Sequence, residues 1–324
     1  MTNRLLTTWC LALACLAPLQ ALAQATFPTR PIRVIVAYPP GGSTDVAARL
    51  ISEPLSRALG QPVVVENKPG AGGTIGASFV AKSDPDGYTL LFGSAAETSI
   101  AQVTMKNVPF DTLKDFAPVT LVGRVPFLLV TNAALPPNNL RELIDWIKAN
   151  PGKVNYSSFG NNTTNHLVGE AFKVAAGVQV AHIPYKGSGP SVADLIGGQV
   201  QYTFDTITAV LPHVRAGKLK AIAVATAQRS ALVPDVPTLS ESGLPGFTGG
   251  TWFGLLAPAA TPAPLIEKLN RELVAILRSD AMRKEFESRG IEPVGDTPQE
   301  YARFIRTESD RWRDLAAKIG LKPE

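Results

Sequence analysis

Apolar, β-branched runs alternate along the chain with stretches in which apolar residues recur every three to four positions. Ile32–Tyr38, Val63–Glu66 and Tyr88–Phe92 have the length and composition of strands. Between the first two, Val46, Ala47, Leu50, Ile51, Leu55, Ala58 and Leu59 repeat with helical spacing and stop at Gly60, while Pro54 predicts a kink. A helix is predicted over Ile75–Lys82. The same grammar returns as strand Phe127–Thr131, helix Leu140–Lys148, strand Val154–Ser158, helix Asn165–Ala175, strand Gln179–Pro184, a helix from Pro190 to Gly197, and strands Val200–Phe204 and Leu219–Thr226. The tail reads as helices over Leu265–Leu277, Ala281–Arg289 and Pro298–Ile319, with Trp312 on the apolar face of the last.

Strands separated by helices predict an α/β fold whose largely parallel sheet is covered on both faces. Phe127–Thr131 and Trp252–Ala257 resemble each other, and a helix follows each. They are expected to be two crossover strands joining two doubly wound domains: one discontinuous (26–125 and 253–324) and one inserted (126–252).

The first 25 residues break this pattern. Arg4, an apolar run from Leu5 to Ala17, Pro18 and small residues ending in Ala21-Leu22-Ala23 form a secretory signal, cut near Ala23 or Ala25. The apolar run is about 13 residues, short of the roughly 20 needed to span a bilayer. The expected destination is the periplasm. Both cysteines, Cys10 and Cys15, fall inside the signal, so the mature chain carries no thiol for nucleophilic, zinc or redox chemistry.

Composition narrows the function further. Lys plus Arg number 31 against 27 for Asp plus Glu, and the basic residues are scattered, which argues against a nucleic-acid partner. His166, His182 and His213 stand one per segment without metal-ligand spacing, so no metal is expected. Gly41-Gly42-Ser43-Thr44-Asp45 fails the Gly-x-Ser-x-Gly elbow at its last position, and the glycines at 70, 72, 73 and 76 miss the dinucleotide fingerprint by one. Neither a cofactor nor an enzymatic nucleophile is expected.

Three strands end in small-residue turns that open helices: Tyr38-Pro39-Pro40-Gly41-Gly42-Ser43-Thr44-Asp45, Phe92-Gly93-Ser94-Ala95-Ala96, and Ser157-Ser158-Phe159-Gly160-Asn161-Asn162-Thr163-Thr164. Ligands of open α/β sheets bind outside the carboxyl ends of strands, where helix first-turn N–H groups favour anions. Gly41 and Gly42 allow close backbone approach, and Ser43 and Thr44 either add hydroxyl donors or cap the helix. Asp45 is expected to complement the helix dipole first and to touch ligand second. From the inserted block, His166, Tyr185, Lys186 and Asp205 are candidates to face these turns. His166 is either an anion donor or a structural hydrogen-bonder, and Asp205 either fixes a turn or orients a ligand. Glu97 follows the Phe92–Ala96 turn; at the pocket it would favour a ligand amine, but a surface position is the simpler expectation.

The residues in this order resemble the Bug family, the extracytoplasmic solute-binding proteins of tripartite tricarboxylate transporters. The likeness covers the whole mature chain through Pro39–Asp45, Val65–Gly73, Pro85–Leu90, Lys114–Val119, Pro184–Gly187, Asp235–Thr238 and Trp252–Gly254. It implies a type II periplasmic-binding-protein fold that closes by hinge motion around a small organic carboxylate: a di- or tricarboxylate, an amino acid or an aromatic acid. It also implies delivery to a membrane permease of one large and one small subunit. It implies that the ligand carboxylate is held mainly by backbone groups and ordered waters at Gly41–Asp45 and at the Gly160–Thr164 turn; together with the reading of the strand-end turns, the expected ligand set is Tyr38, Pro40, Gly41, Gly42, Ser43, Thr44, Asp45, Gly73, Ser94, Ala95, Asn161, Asn162, Thr163, Thr164, His166, Tyr185, Lys186 and Asp205. Asn162 and Thr163 depart from the family's usual Gly-x-Gly-Ser turn. The alternatives are a ligand-presenting partner of a membrane receptor, or an exported enzyme using Asp205 or His166 as acid or base.

Overall fold

The computed structural model describes residues 27–321 and 323, so the signal expected over residues 1–25 lies outside the described residues. β1 (Ile32–Val36) runs parallel to β2 (Val63–Asn67) on one side and to β3 (Thr89–Ser94) on the other. Parallel neighbours need crossover connections, supplied here by α1 (Ser43–Leu59) and α2 (Thr74–Ala81). α1 buries Ala47, Ala48, Ile51, Leu55 and Leu59 along one stripe and runs through Pro54. It ends at Gly60, whose left-handed φ of 71° lets its N–H reach Ser56 O. β3 leads into a π-helical turn, Ala96–Ile100, and then the short α3 (Ala101–Thr104) and α4 (Thr112–Asp115).

The second block holds α5 (Leu140–Ala149), β5 (Asn155–Ser158), α6 (Thr164–Ala176), β6 (Ala181–Pro184), α7 (Ser188–Ile196), β7 (Tyr202–Thr206), α8 (Ile207–Arg215) and β8 (Leu219–Val224). β5 is parallel to both β6 and β7. The chain returns through β9 (Gly250–Pro258), then α9 (Ala263–Arg278), α10 (Asp280–Ser288), the short β10 (Glu292–Pro293) and α11 (Pro298–Lys318).

The two blocks meet on β4 (Phe116–Asn132), a strand of 17 residues of which the sequence pattern predicts only the second half. Residues from Phe116 to Pro126 pair with β9, and those from Phe127 to Asn132 pair with β7 and β8. At this change of partners Phe127 N–H donates to Gly249 O (3.1 Å) and Gly249 N–H to Ala225 O (2.9 Å). The strand order is β2-β1-β3-β9-β4-β7-β5-β6, with β8 and β10 also on β4. The expectation of a largely parallel sheet needs correction, because every pairing made by β4 and β9 is antiparallel. One long strand carries the chain out and another brings it back alongside.

Apolar side chains from both blocks fill three buried clusters. α11 spans two of them: Tyr301 and Ile305 pack with Ile35, Leu91 and Leu256, whereas Trp312 packs with Leu140, Phe172 and Phe204. This helix starts with a capping box in which Thr297 Oγ accepts from Glu300 N–H and the Glu300 side chain accepts from Thr297 N–H.

Candidate functional site

The residues that follow β1, β3, β5, β6 and β7 converge on one small cavity of about 30 Å³, room for a water-sized molecule. Its polar side chains are all hydroxyls: Tyr38, Ser43, Thr44 and Ser94 on one wall, Thr163, Thr164, Ser188 and Thr206 on the other, and Thr251 from β9. Among the described residues no charged side chain lines it. A second hollow of about 410 Å³ adjoins it, shares Tyr38 and Phe159, and is walled by Gly70–Gly73, Gly160–Asn162 and Pro184–Lys186.

Four α-helices begin at the inner cavity. α1 starts after Gly42, α6 after Thr163, α7 after Gly187 and α8 after Thr206, and none has a side-chain cap. Thr163 is of a capping residue type, yet its hydroxyl is engaged with Gly160 O (2.7 Å) and Asn165 Oδ1 (2.9 Å). First-turn N–H groups left without intrahelical partners carry the positive end of the helix dipole, so the walls present an anion-seeking potential with no cationic side chain.

The backbone geometry that permits this is set locally. Gly41 has φ 95°, a left-handed value that favours glycine, and its N–H donates to Asp45 Oδ2 (3.1 Å). Asp45 also accepts from Arg49 (3.0 Å) and from Asn67 Nδ2 (2.9 Å), which in turn donates to Tyr38 O (2.9 Å). Burial pushes the Asp45 carboxyl up, but these hydrogen bonds outweigh it and hold the group below its usual range. Asp45 thus ties the end of β1 to β2 and to α1, and none of its oxygens lines the cavity.

Two acids lie directly behind the hydroxyl walls, one on each side. Glu97, in the π-helical turn, is fully buried, which corrects the expected surface position. Its Oε1 accepts from Ser94 N–H (2.5 Å), and its Oε2 from Ser94 Oγ (2.6 Å) and Tyr38 OH (3.2 Å). Asp205, at the end of β7, is also fully buried, with Oδ2 accepting from Ser188 Oγ (2.7 Å) and Oδ1 from Thr206 N–H (2.6 Å). Burial drives both carboxyls up to about 7 against the pull of these hydrogen bonds. Their environments are apolar enough, and closed enough, to accept such carboxyls only because each is bonded to a serine of the wall.

Of the residues singled out from the sequence, Tyr38, Gly42, Ser43, Thr44, Ser94, Thr163 and Thr164 line the inner cavity, and Gly73, Asn161, Asn162, Tyr185 and Lys186 line the outer hollow. Pro40, Gly41, Asp45, Ala95, His166 and Asp205 line neither. His166 Nδ1 accepts from Asn162 N–H (3.1 Å), and its ring stacks on His182 at 4.2 Å. Asn162 holds a φ of 60° in the turn, a conformation asparagine tolerates better than most residues. Gly73 packs against the buried acid: a Cβ there would meet Glu97 Oε2 at 2.8 Å. Sequence reasoning missed Pro39, Ala96, Phe159, Ser188, Thr206 and Thr251 as lining residues. Ser188 and Thr206 carried a signal, since each is a hydroxyl residue in a strand-to-helix turn.

A larger hollow, about 900 Å³, lies elsewhere, beside Arg124, Trp252, Phe304 and Arg311. No helix starts there, so it offers volume without the convergent donors of the smaller cavity.

Comparison with known proteins agrees with this architecture. Residues 47–321 match the family model described as the tripartite tricarboxylate transporter family receptor. The chain is 43% identical over 298 residues to the BugT protein of Bordetella pertussis, covering 92% of this chain and 91% of that protein. The structure of R. palustris Rpa4515 with adipate superimposes with a TM-score of 0.90 at 36% identity, covering 92% of this chain and 100% of the other. The periplasmic binding protein BugD gives 0.88 at 36% identity, with the same two coverages. The fold is that of the periplasmic binding proteins, and the chain belongs to the tripartite tricarboxylate transporter receptor family.

Proposed function

We propose that this protein is an exported, periplasmic solute-binding protein that captures a small organic carboxylate between its two hydroxyl walls and delivers it to a membrane permease of one large and one small subunit. The observation that carries the reading is the convergence of four uncapped α-helix starts on one cavity lined by hydroxyls and by no charge. A carboxylate placed there accepts hydrogen bonds that the helices do not satisfy internally. The adipate held by a relative of the same fold supports this class of ligand. Binding without turnover is the reading that fits a family of receptors.

The inner cavity is too small for any such acid as it stands, so entry requires the walls to part. On the proposed division into 26–125 with 253–324, and 126–252, the hinge falls near Pro126 and Phe127, where β4 exchanges β9 for β7 and β8, and in β9 near Trp252. Ligand contacts to both walls favour the closed form, and differential affinity alone shifts the population.

The test is thermal unfolding of the mature protein with adipate, succinate, citrate, glutamate or benzoate at 1 mM. A micromolar ligand at about a thousandfold excess stabilises by roughly 4 kcal/mol, a shift of several degrees for a chain of this size. A shift confined to one or two acids supports the reading. No shift with any acid, at pH 6 or pH 8, contradicts it.

A further inference from the structure

We infer that Glu97 and Asp205 act as a matched pair of proton acceptors behind the two walls, so that closing on a carboxylate takes up protons from solution and turns Ser94 and Ser188 into donors toward the ligand. The inference rests on the carboxylate reading above and adds a regulation to it.

Each serine hydroxyl carries one hydrogen, and where it points decides what the wall offers a ligand. Ser94 Oγ lies 2.6 Å from Glu97 Oε2, and Ser188 Oγ lies 2.7 Å from Asp205 Oδ2. With both acids ionised, each serine spends its only proton on the carboxylate behind it and turns lone pairs toward the cavity. Lone pairs repel a ligand carboxylate. With a proton on each acid, the carboxyl O–H donates to the serine oxygen, and the serine proton is free to point at the ligand. Around Glu97 the neutral form also resolves a conflict: Tyr38 OH has one proton but two acceptors, Gly72 O at 3.0 Å and Glu97 Oε2 at 3.2 Å. A proton on Oε2 leaves Tyr38 to serve Gly72. Around Asp205, Thr206 N–H and Oγ satisfy Oδ1, and Oδ2 is left to the serine alone.

Among the described residues no cation offsets either acid. Tyr38 and Tyr301 are the titratable groups acting on Glu97, and the packed segments Ala71–Gly73, Thr74–Ala81, Thr89–Ser94 and Ala101–Thr104 carry no charged residue. On α11, the buried Glu308 is taken by Trp252 Nε1 and Arg311. On the elements packed against β7, Asp194 is held by Tyr185 and Glu170 by Tyr156 and Lys173; His166 accepts from Asn162 N–H, and His213 and Arg215 sit at the far end of α8. Burial without a counter-charge raises both carboxyls to about 7, close to the pH of use. A ligand carboxylate arriving between them raises them further, which is proton uptake.

The sign follows. Adipate is fully ionised above pH 6.5, so protons gained on binding come to the protein, and affinity falls as pH rises. One proton per ligand corresponds to about tenfold per pH unit. Titration calorimetry with adipate, in phosphate and in Tris at pH 6.5 and 8.5, reads the uptake directly; benzoate and glutamate are the replacement probes if adipate gives no heat. The expected result is uptake of at least one proton per carboxylate at pH 8.5, less at pH 6.5, and a dissociation constant at least tenfold weaker at the higher pH. Glu97→Gln and Asp205→Asn place an amide donor where the proton sits; each should remove about half of the uptake, tighten binding at pH 8.5, and flatten the profile. Binding with equal heats in the two buffers, or with proton release, overturns this inference and leaves the carboxylate reading standing. Absence of heat and of thermal shift with every acid at both pH values overturns both. Should a variant fail to fold, the wild-type buffer comparison decides alone.

Discussion

Among the described residues four α-helices start with a side-chain cap and seven without; of the seven, α2, α3 and α9 start away from the inner cavity, after Gly73, Ile100 and Pro262. α4, α5, α10 and α11 start after Asp111, Asn139, Ser279 and Thr297, and in each the side chain accepts from a first-turn N–H. α1, α6, α7 and α8 start at the cavity, and none has such a cap. The capping residue types are not missing at the cavity; Thr163 and Thr206 stand in the N-cap position there, with their hydroxyls engaged elsewhere. A capped start contributes to stability. An uncapped start at the cavity leaves donors that a ligand can satisfy, so at these four helices stability forgone at the fold becomes affinity at the site.

This contrast is open to attack by mutation, and the largest effect is expected where backbone meets ligand. Gly42 has an ordinary φ of −80°, and a Cβ there would come within 3.8 Å of Ser188 Cβ. Gly42→Val therefore leaves the backbone unstrained but fills the gap between the walls. It should weaken carboxylate binding by well over tenfold in calorimetry while the melting temperature of the unliganded protein stays within about 2 °C. Unchanged affinity would remove this turn from the site.

Next in size come the wall hydroxyls. Ser188→Ala or Ser94→Ala deletes one donor to the ligand and one partner of a buried acid; each should cost about 1–2 kcal/mol of binding, five- to thirtyfold in dissociation constant. Lys186→Ala, in the outer hollow, should matter less to a monocarboxylate than either serine. At a capped start the readout is reversed. Thr297→Ala should lower stability by about 1 kcal/mol in denaturant titration and leave the affinity untouched. A loss of affinity there would blur the distinction between the two kinds of helix start.

Much of the fold was legible in the residues. Order and type of most strands and helices follow from the alternation of β-branched runs with helical periodicity, and Gly60 marks the end of α1 as read, but the short α3 and α4 and the cavity helix α8, which carries Pro212, were not predicted. The long β4 was not legible over its first half, because Pro118, Gly123 and Pro126 break the run that a strand of uniform composition would show. Its antiparallel partners could not be read either, since pairing Arg124 with Trp252 joins residues far apart in sequence. At the site, the glycine and hydroxyl turns announced themselves through residue types that strands and helix interiors disfavour. Ser188 was passed over because Pro190 looks like a helix start; proline fits anywhere in a first turn, where its missing N–H has no partner to lose. Burial of Glu97 was invisible for another reason: a carboxylate is an exposed residue by type, and only the fold brings Ser94 and Tyr38 around it.

A separate expected effect, on stability and not on affinity, is its dependence on pH. Glu97 and Asp205 have folded values near 7, above the unfolded carboxyl range near 4. Between those values the folded state binds more protons than the unfolded state, so the unliganded protein loses stability as pH rises from about 4.5 to 7 and no more above it. Asp45, held low, works in the opposite sense and costs stability as pH falls through its folded value. Melting curves from pH 4.5 to 8.5 should show the decline, and Glu97→Gln with Asp205→Asn should flatten it.

The most direct test of the central claim is a crystal structure of the protein with adipate, or with whichever acid gives the largest thermal shift. The account predicts one carboxylate group between the walls, its oxygens within hydrogen-bonding distance of first-turn N–H groups from α1 and from at least one of α6, α7 and α8, with Ser94 and Ser188 hydroxyls directed at it. A ligand bound instead in the groove beside Trp252 and Arg124, or one whose carboxylate meets Lys186 and no helix start, would contradict it.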